Sequence, residues 1–86
     1  MSKIVALYST RMLPDELYRN FRLKQKTIVP IKGDFSLMPA QISTAEEVYI
    51  MGNKFDTDIP KIVNHAKTTN KPFKIFSTVR EMWEWD

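Results

Sequence analysis

Two hydrophobic periods alternate along this chain, and their order predicts its architecture. Ile4-Val5-Ala6-Leu7-Tyr8 is an unbroken apolar run, the pattern of a parallel strand buried on both faces. A first strand is predicted over Lys3–Tyr8, closed by the polar turn Ser9-Thr10-Arg11. The period then lengthens, with Leu13, Leu17, Tyr18 and Phe21 forming one stripe of a helix. Pro14 suits the first helical turn, and Asp15 and Glu16 suit the positive end of its dipole. Thr27–Lys32 reads as a second strand, placed at a sheet edge by Pro30, and Gly33-Asp34 turns the chain. Phe35 to Thr44 shows no clear period and is expected to be an ordered loop or one helical turn.

The carboxyl half repeats the scheme. Val48-Tyr49-Ile50-Met51-Gly52 is a third strand-length run. Ile59, Ile62, Val63 and Ala66 then recur at i, i+3, i+4 and i+7, one face of a helix over Ile59–Thr69. Asp56, Thr57 or Asp58 can cap that helix, and Asn70-Lys71-Pro72 stops it. Phe73–Phe76 is the fourth strand. Thr78-x-x-Glu81 matches a capping box for a short last helix carrying Val79, Met82 and Trp83.

Strands joined by helical crossovers lie parallel, and right-handed crossovers leave few arrangements. The expected fold is a single α/β domain over residues 1–86, Rossmann-like and three-layered, with a mainly parallel four-stranded sheet in the order 2-1-3-4. Ligand crevices in such sheets lie at the carboxyl ends of the strands, where the order reverses. That places Ser9, Thr10 and Arg11 on one side of the crevice and Gly52, Asn53 and Lys54 on the other. Ser9 and Thr10 offer hydroxyls and N–H groups near a helix start, and Arg11 can fork onto a phosphate. Gly52 admits a close backbone approach, Lys54 adds charge, and Asp56 or Asp58 can accept from ribose hydroxyls.

Composition narrows the chemistry. The chain is 86 residues, 43% hydrophobic and 27% charged, with no cysteine and one histidine. That excludes a disulfide framework, a cysteine nucleophile and a metal site needing two imidazoles. His65 reads as a structural residue on the second long helix. With only two glycines, neither the dinucleotide loop nor the P-loop can be built. The charge of +3 is uneven, since residues 1–43 hold seven Lys/Arg against three Asp/Glu, and residues 44–86 hold six against seven. The excess at Arg19, Arg22, Lys24 and Lys26 is expected to be a solvated face suited to the helix dipole. It lacks the interleaved aromatics of a nucleic-acid binder. No spanning segment or leader is evident, so a cytoplasmic location is expected.

Glu46-Glu47-Val48-Tyr49-Ile50-Met51-Gly52, a polar turn, and then Asn64-His65-Ala66-Lys67-x-x-Asn70-Lys71-Pro72-Phe73 resemble nucleoside 2-deoxyribosyltransferase-like and related nucleotide-sensing Rossmannoid domains. The resemblance implies a fold and a nucleotide-type ligand. It does not carry the activity, because the family's nucleophilic glutamate on the helix after the third strand has no counterpart in Ile59–Thr69. A glutaredoxin-like reading, suggested by Leu7-Tyr8-Ser9-Thr10 and Met38-Pro39, fails on the missing cysteines and the closing strand.

The expected function is non-catalytic binding of a nucleotide or related phosphorylated small molecule, with no cofactor. The alternatives are a small interaction or inhibitor protein acting on a larger protein, and a reduced deoxyribosyltransferase-like enzyme. Trp83 and Trp85 cannot share a helix face. Trp83 is assigned to the core, and a homodimer is expected with Trp83 or Trp85 at or beside its interface.

Overall fold

In the computed structural model, which describes residues 3–31, 35–52 and 55–85, strand β1 (Lys3–Ser9) lies at the sheet's interior. It is followed by helix α1 (Asp15–Leu23), edge strand β2 (Lys26–Pro30), a 3-10 turn (Phe35–Leu37) and helix α2 (Met38–Thr44). Strand β3 (Glu47–Met51), helix α3 (Asp58–Thr68), strand β4 (Phe73–Phe76) and helix α4 (Val79–Glu84) complete the chain. The strands are ordered β2-β1-β3-β4 and every pairing is parallel. This is the α/β architecture and strand order that the sequence predicts.

Because strand side chains alternate between faces, β1 and β3 each feed two cores. Val5, Leu7, Tyr49 and Met51 meet Leu17 and Phe21 of α1 on one face. Ala6, Tyr8, Val48 and Ile50 meet Ile42 of α2 and Ile62 of α3 on the other. Helix α4 adds Met82 to the α1 side, where Trp83 is half-buried.

The helix ends follow local chemistry. After α3, Asn70 takes a left-handed φ of 59°. Its N–H then reaches the Lys67 carbonyl at 3.1 Å, and the Lys71 N–H reaches the Ala66 carbonyl at 2.8 Å. This pair of bonds is a Schellman cap, and asparagine tolerates the conformation it needs. Gln25, also at φ 59°, follows α1 in the same left-handed conformation, its N–H bonding the Arg22 carbonyl at 3.0 Å. The capping box forms at α4: Thr78 Oγ1 accepts from the Glu81 N–H, and Glu81 Oε2 accepts from the Ser77 N–H.

Two expectations are corrected. The segment 35–44 is a 3-10 turn and a two-turn helix rather than a loop or single turn. Pro39 sits in the first turn of α2, where its missing N–H is harmless, and Met38, Ile42 and Ala45 anchor the segment in the core. Lys26, read as part of a solvated basic face, begins β2 and is only 6% exposed. Its stem lies under α1, and its ammonium donates to Tyr49 Oη at 2.6 Å, 5.1 Å from the ring centre. No helix among the described residues is long and apolar enough to cross a membrane.

Candidate functional site

The carboxyl end of β1 bends through a turn built by Ser9. Its Oγ donates to the Arg11 carbonyl at 2.7 Å and accepts from the Arg11 N–H at 3.2 Å. The Thr10 N–H donates to the Met51 carbonyl at 3.2 Å, prolonging the β1–β3 ladder by one step. The turn therefore satisfies its own polar groups, and its N–H groups are already committed at residues 10 and 11. Anion recognition at this end rests on the Arg11 side chain, which is exposed.

Beside the turn, on the α1 face, lies a half-open cleft of about 450 Å³. Ser9, Thr10 and Arg11 form its rim, Leu7, Pro30 and Ile31 supply apolar wall, and Asp15 and Tyr18 approach from α1. Its position follows from the topology. Helix α1 must return from β1 to the edge strand β2, and the space between its first turns and the ends of both strands stays open.

Gly52, Asp56 and Asp58 do not line this cleft but gather on the β3 side. A Cβ on Gly52 would stand 2.9 Å from Ile59 Cδ1 and 3.4 Å from Thr10 Cγ2. Here the glycine serves the close approach of the protein's own side chains. Tyr8 Oη donates to Asp56 Oδ2 at 2.7 Å, and Asp56 Oδ1 accepts from the Asp58 N–H at 2.9 Å. These two bonds hold the Asp56 carboxyl below the usual carboxylate range, the Tyr8 bond foremost. Burial, then the Asp56 bond, pushes the Tyr8 hydroxyl well above the ordinary tyrosine value. No side chain caps α3 from Thr57; Asp56 instead closes a turn ahead of it. The Asp58 carboxylate lies 3.8 Å from Lys61 along α3. Asn53 and Lys54, and the turn at Gly33-Asp34, lie outside the described residues.

The structure thus brings Ser9, Thr10 and Arg11 together at an open cleft, and Gly52 close to Ile59 and Asp56 on the other side of Thr10. Sequence reasoning missed Tyr8, Asp15 and Tyr18. The last two carried a usable signal: three residues apart on a helix, they share a face, and that face overlooks the edge strand.

At the opposite end of the sheet, Lys26, Tyr49, Glu47 and Lys3 form a polar cluster. Burial raises the Tyr49 hydroxyl strongly, and its bond to Glu47 adds to the shift. For Glu47 burial pushes upward, but hydrogen bonds from Lys3, at 2.8 Å, and Tyr49 bring the net value down. Trp85 leans on Phe76 with ring centres 6.1 Å apart, stands 4.6 Å from Lys74 Nζ, and has its carbonyl held by Lys24 Nζ at 2.6 Å. It remains 39% exposed. Comparison with protein-family models, curated proteins and solved structures finds no match for this chain.

Proposed function

We propose that this protein binds a nucleotide or related phosphorylated small molecule, without transforming it, in the cleft at the carboxyl end of β1. The observation that carries this reading is the cleft itself. Its volume of about 450 Å³ falls in the ~300–1,000 Å³ range of small-molecule sites, which are largely apolar with a few placed polar groups. Leu7, Pro30 and Ile31 offer wall for a base, Arg11 a planar fork for phosphate, and Asp15 an acceptor for hydroxyl or amino groups. The resemblance of the carboxyl half to nucleotide-handling Rossmannoid domains points to the same ligand class. The carboxylate nearest the switch point, Asp56, is engaged by Tyr8 and by the Asp58 N–H, which favours binding over nucleophilic chemistry.

Calorimetry against nucleoside mono-, di- and triphosphates tests the reading. Saturable binding to at least one, lost in Arg11→Ala with folding intact, is the expected result. If no member of the panel binds, the cleft reading falls.

A second contact is supported at the other sheet edge. Ile75 is 46% exposed on the α3 face of β4 and Trp85 39% exposed on the α1 face, so apolar surface flanks an edge strand on both sides. A homodimer through this edge is the expected occupant. Sedimentation at micromolar concentration should then show twice the 10.1 kDa chain mass, and a monomer there rejects the dimer.

A further inference from the structure

The seam between α1 and β2 carries a second depression, of about 210 Å³, lined by Tyr18, Arg22, Lys26, Thr27 and Ile28. Tyr18 is also a wall of the carboxyl-end cleft, so the two depressions meet at one aromatic side chain. Their alignment follows from the elements beneath and above. Lys26, Ile28 and Pro30 are alternate residues of β2, in register with Lys3, Val5 and Leu7, and share the α1 face. Asp15, Tyr18 and Arg22 fall at i, i+3 and i+7 of α1, one stripe of the helix. Since α1 runs back against the strand direction, Asp15 stands toward Pro30, Tyr18 toward Ile28 and Arg22 toward Lys26. The stripe is about 10 Å long at 1.5 Å per residue, and the strand below it about 13 Å at 3.3 Å per residue.

We infer that this seam is one linear groove that takes a dinucleotide, two nucleoside units joined through phosphate, in preference to a mononucleotide. The inference rests on the nucleotide reading above and extends it. Arg11 and Arg22, both exposed, mark the two ends. Tyr18, half-buried between them, offers a ring on which a base can stack without sequence preference. Leu7, Ile28 and Pro30 supply an apolar floor. The Lys26 ammonium, held on Tyr49 Oη, adds positive potential beneath the Arg22 end. A mononucleotide in the cleft engages Arg11 alone, whereas a dinucleotide spans both arginines and has one base beside Tyr18.

The test compares AMP, GMP, CMP and UMP with the 5′-phosphorylated linear dinucleotides built from them, by calorimetry on the wild-type chain, Arg22→Ala, Arg22→Gln and Arg11→Ala. Circular dichroism confirms that each variant is folded, and the two replacements at exposed Arg22 guard against a helix-specific artefact. At least one dinucleotide is expected to bind tenfold or more tightly than its mononucleotide, with that gain lost in both Arg22 variants and mononucleotide affinity unchanged. Arg11→Ala should weaken both ligands. Equal affinity for the two lengths, or a length preference that survives at position 22, overturns the groove and leaves the single-cleft reading standing. Absence of binding by every mono- and dinucleotide overturns both.

Discussion

Tyr8 Oη donates a 2.7 Å hydrogen bond to Asp56 Oδ2 across 48 positions of sequence. It joins the end of the first strand to the loop that leads into α3, and with it the carboxyl edge of the sheet divides in two. On the β3 side Tyr8 bonds Asp56, and Gly52 lies close to Ile59 and Asp56. On the β2 side the space under α1 stays open. Among the described residues, the protein's own side chains pack together where the strand order reverses, and the cleft under α1 lies one strand over.

Tyr8→Phe should lower thermal stability at neutral pH, and the deficit should depend on pH. The folded Asp56 carboxyl titrates below its unfolded value, with the Tyr8 bond as the leading cause. Its contribution is present above the unfolded carboxylate pKa of about 3.9 and is lost as pH falls through the folded value. Melting curves of the two proteins should begin to approach each other below about pH 4 and meet below the folded Asp56 value. A constant difference from pH 7 to pH 3 would show that the hydroxyl acts through something other than Asp56.

The alkaline limb runs the other way. Folded Tyr8 and Tyr49 both titrate above the ordinary tyrosine value, so each contributes stability below the unfolded pKa of about 10 that is lost as pH rises beyond it. Urea midpoints should fall above pH 10, and less steeply in Tyr8→Phe and in Tyr49→Phe than in the wild type. A wild-type midpoint that stays flat to pH 11 would contradict the assignment.

The fold was legible because its strands are apolar runs and its two long helices carry full stripes. Their ends lie within about two residues of where the pattern puts them: β3 starts at Glu47 rather than Val48, and β2 runs Lys26–Pro30 rather than Thr27–Lys32. Helix α2 was not legible, since two turns led by Pro39 place too few buried positions to show a period. Lys26 was misread because sequence reports its charge and not its depth; a long stem with an acceptor at Tyr49 Oη allows burial. Ser9, Thr10 and Arg11 were found at an open cleft because topology alone sends the end of β1 there. How the Thr10 methyl, Gly52 and Ile59 fit together on the other side of Thr10 is encoded by no spacing rule.

Gln25→Gly should stabilise the protein. Gln25 is exposed with φ 59°, a conformation that costs a residue with a Cβ roughly 1 kcal/mol and glycine little. A gain of about 1 kcal/mol corresponds to about 4–8 °C in Tm for a domain of this size. Scanning calorimetry that shows no rise would mean the unfolded-state entropy of glycine cancels the relief of strain.

The Lys26–Tyr49 contact predicts an ordering of three variants. Tyr49→Phe leaves the Lys26 ammonium, 6% exposed, with one acceptor fewer, and losing a buried partner of a charged group costs about 1–3 kcal/mol. Lys26→Met keeps the stem and removes the charge, and leaves only the neutral Tyr49 hydroxyl without the ammonium it accepts from. Replacing a buried cation with an apolar side chain of similar shape is often close to neutral. The Lys26→Met, Tyr49→Phe double variant removes both donor and acceptor, so it should be more stable than Tyr49→Phe alone. In urea titrations the order of midpoints is expected to be Lys26→Met highest, then the double variant, then Tyr49→Phe. A double variant whose loss equals the sum of the two single losses would show that the pair is not coupled, and Lys26 would then be held by its stem rather than by its hydrogen bond.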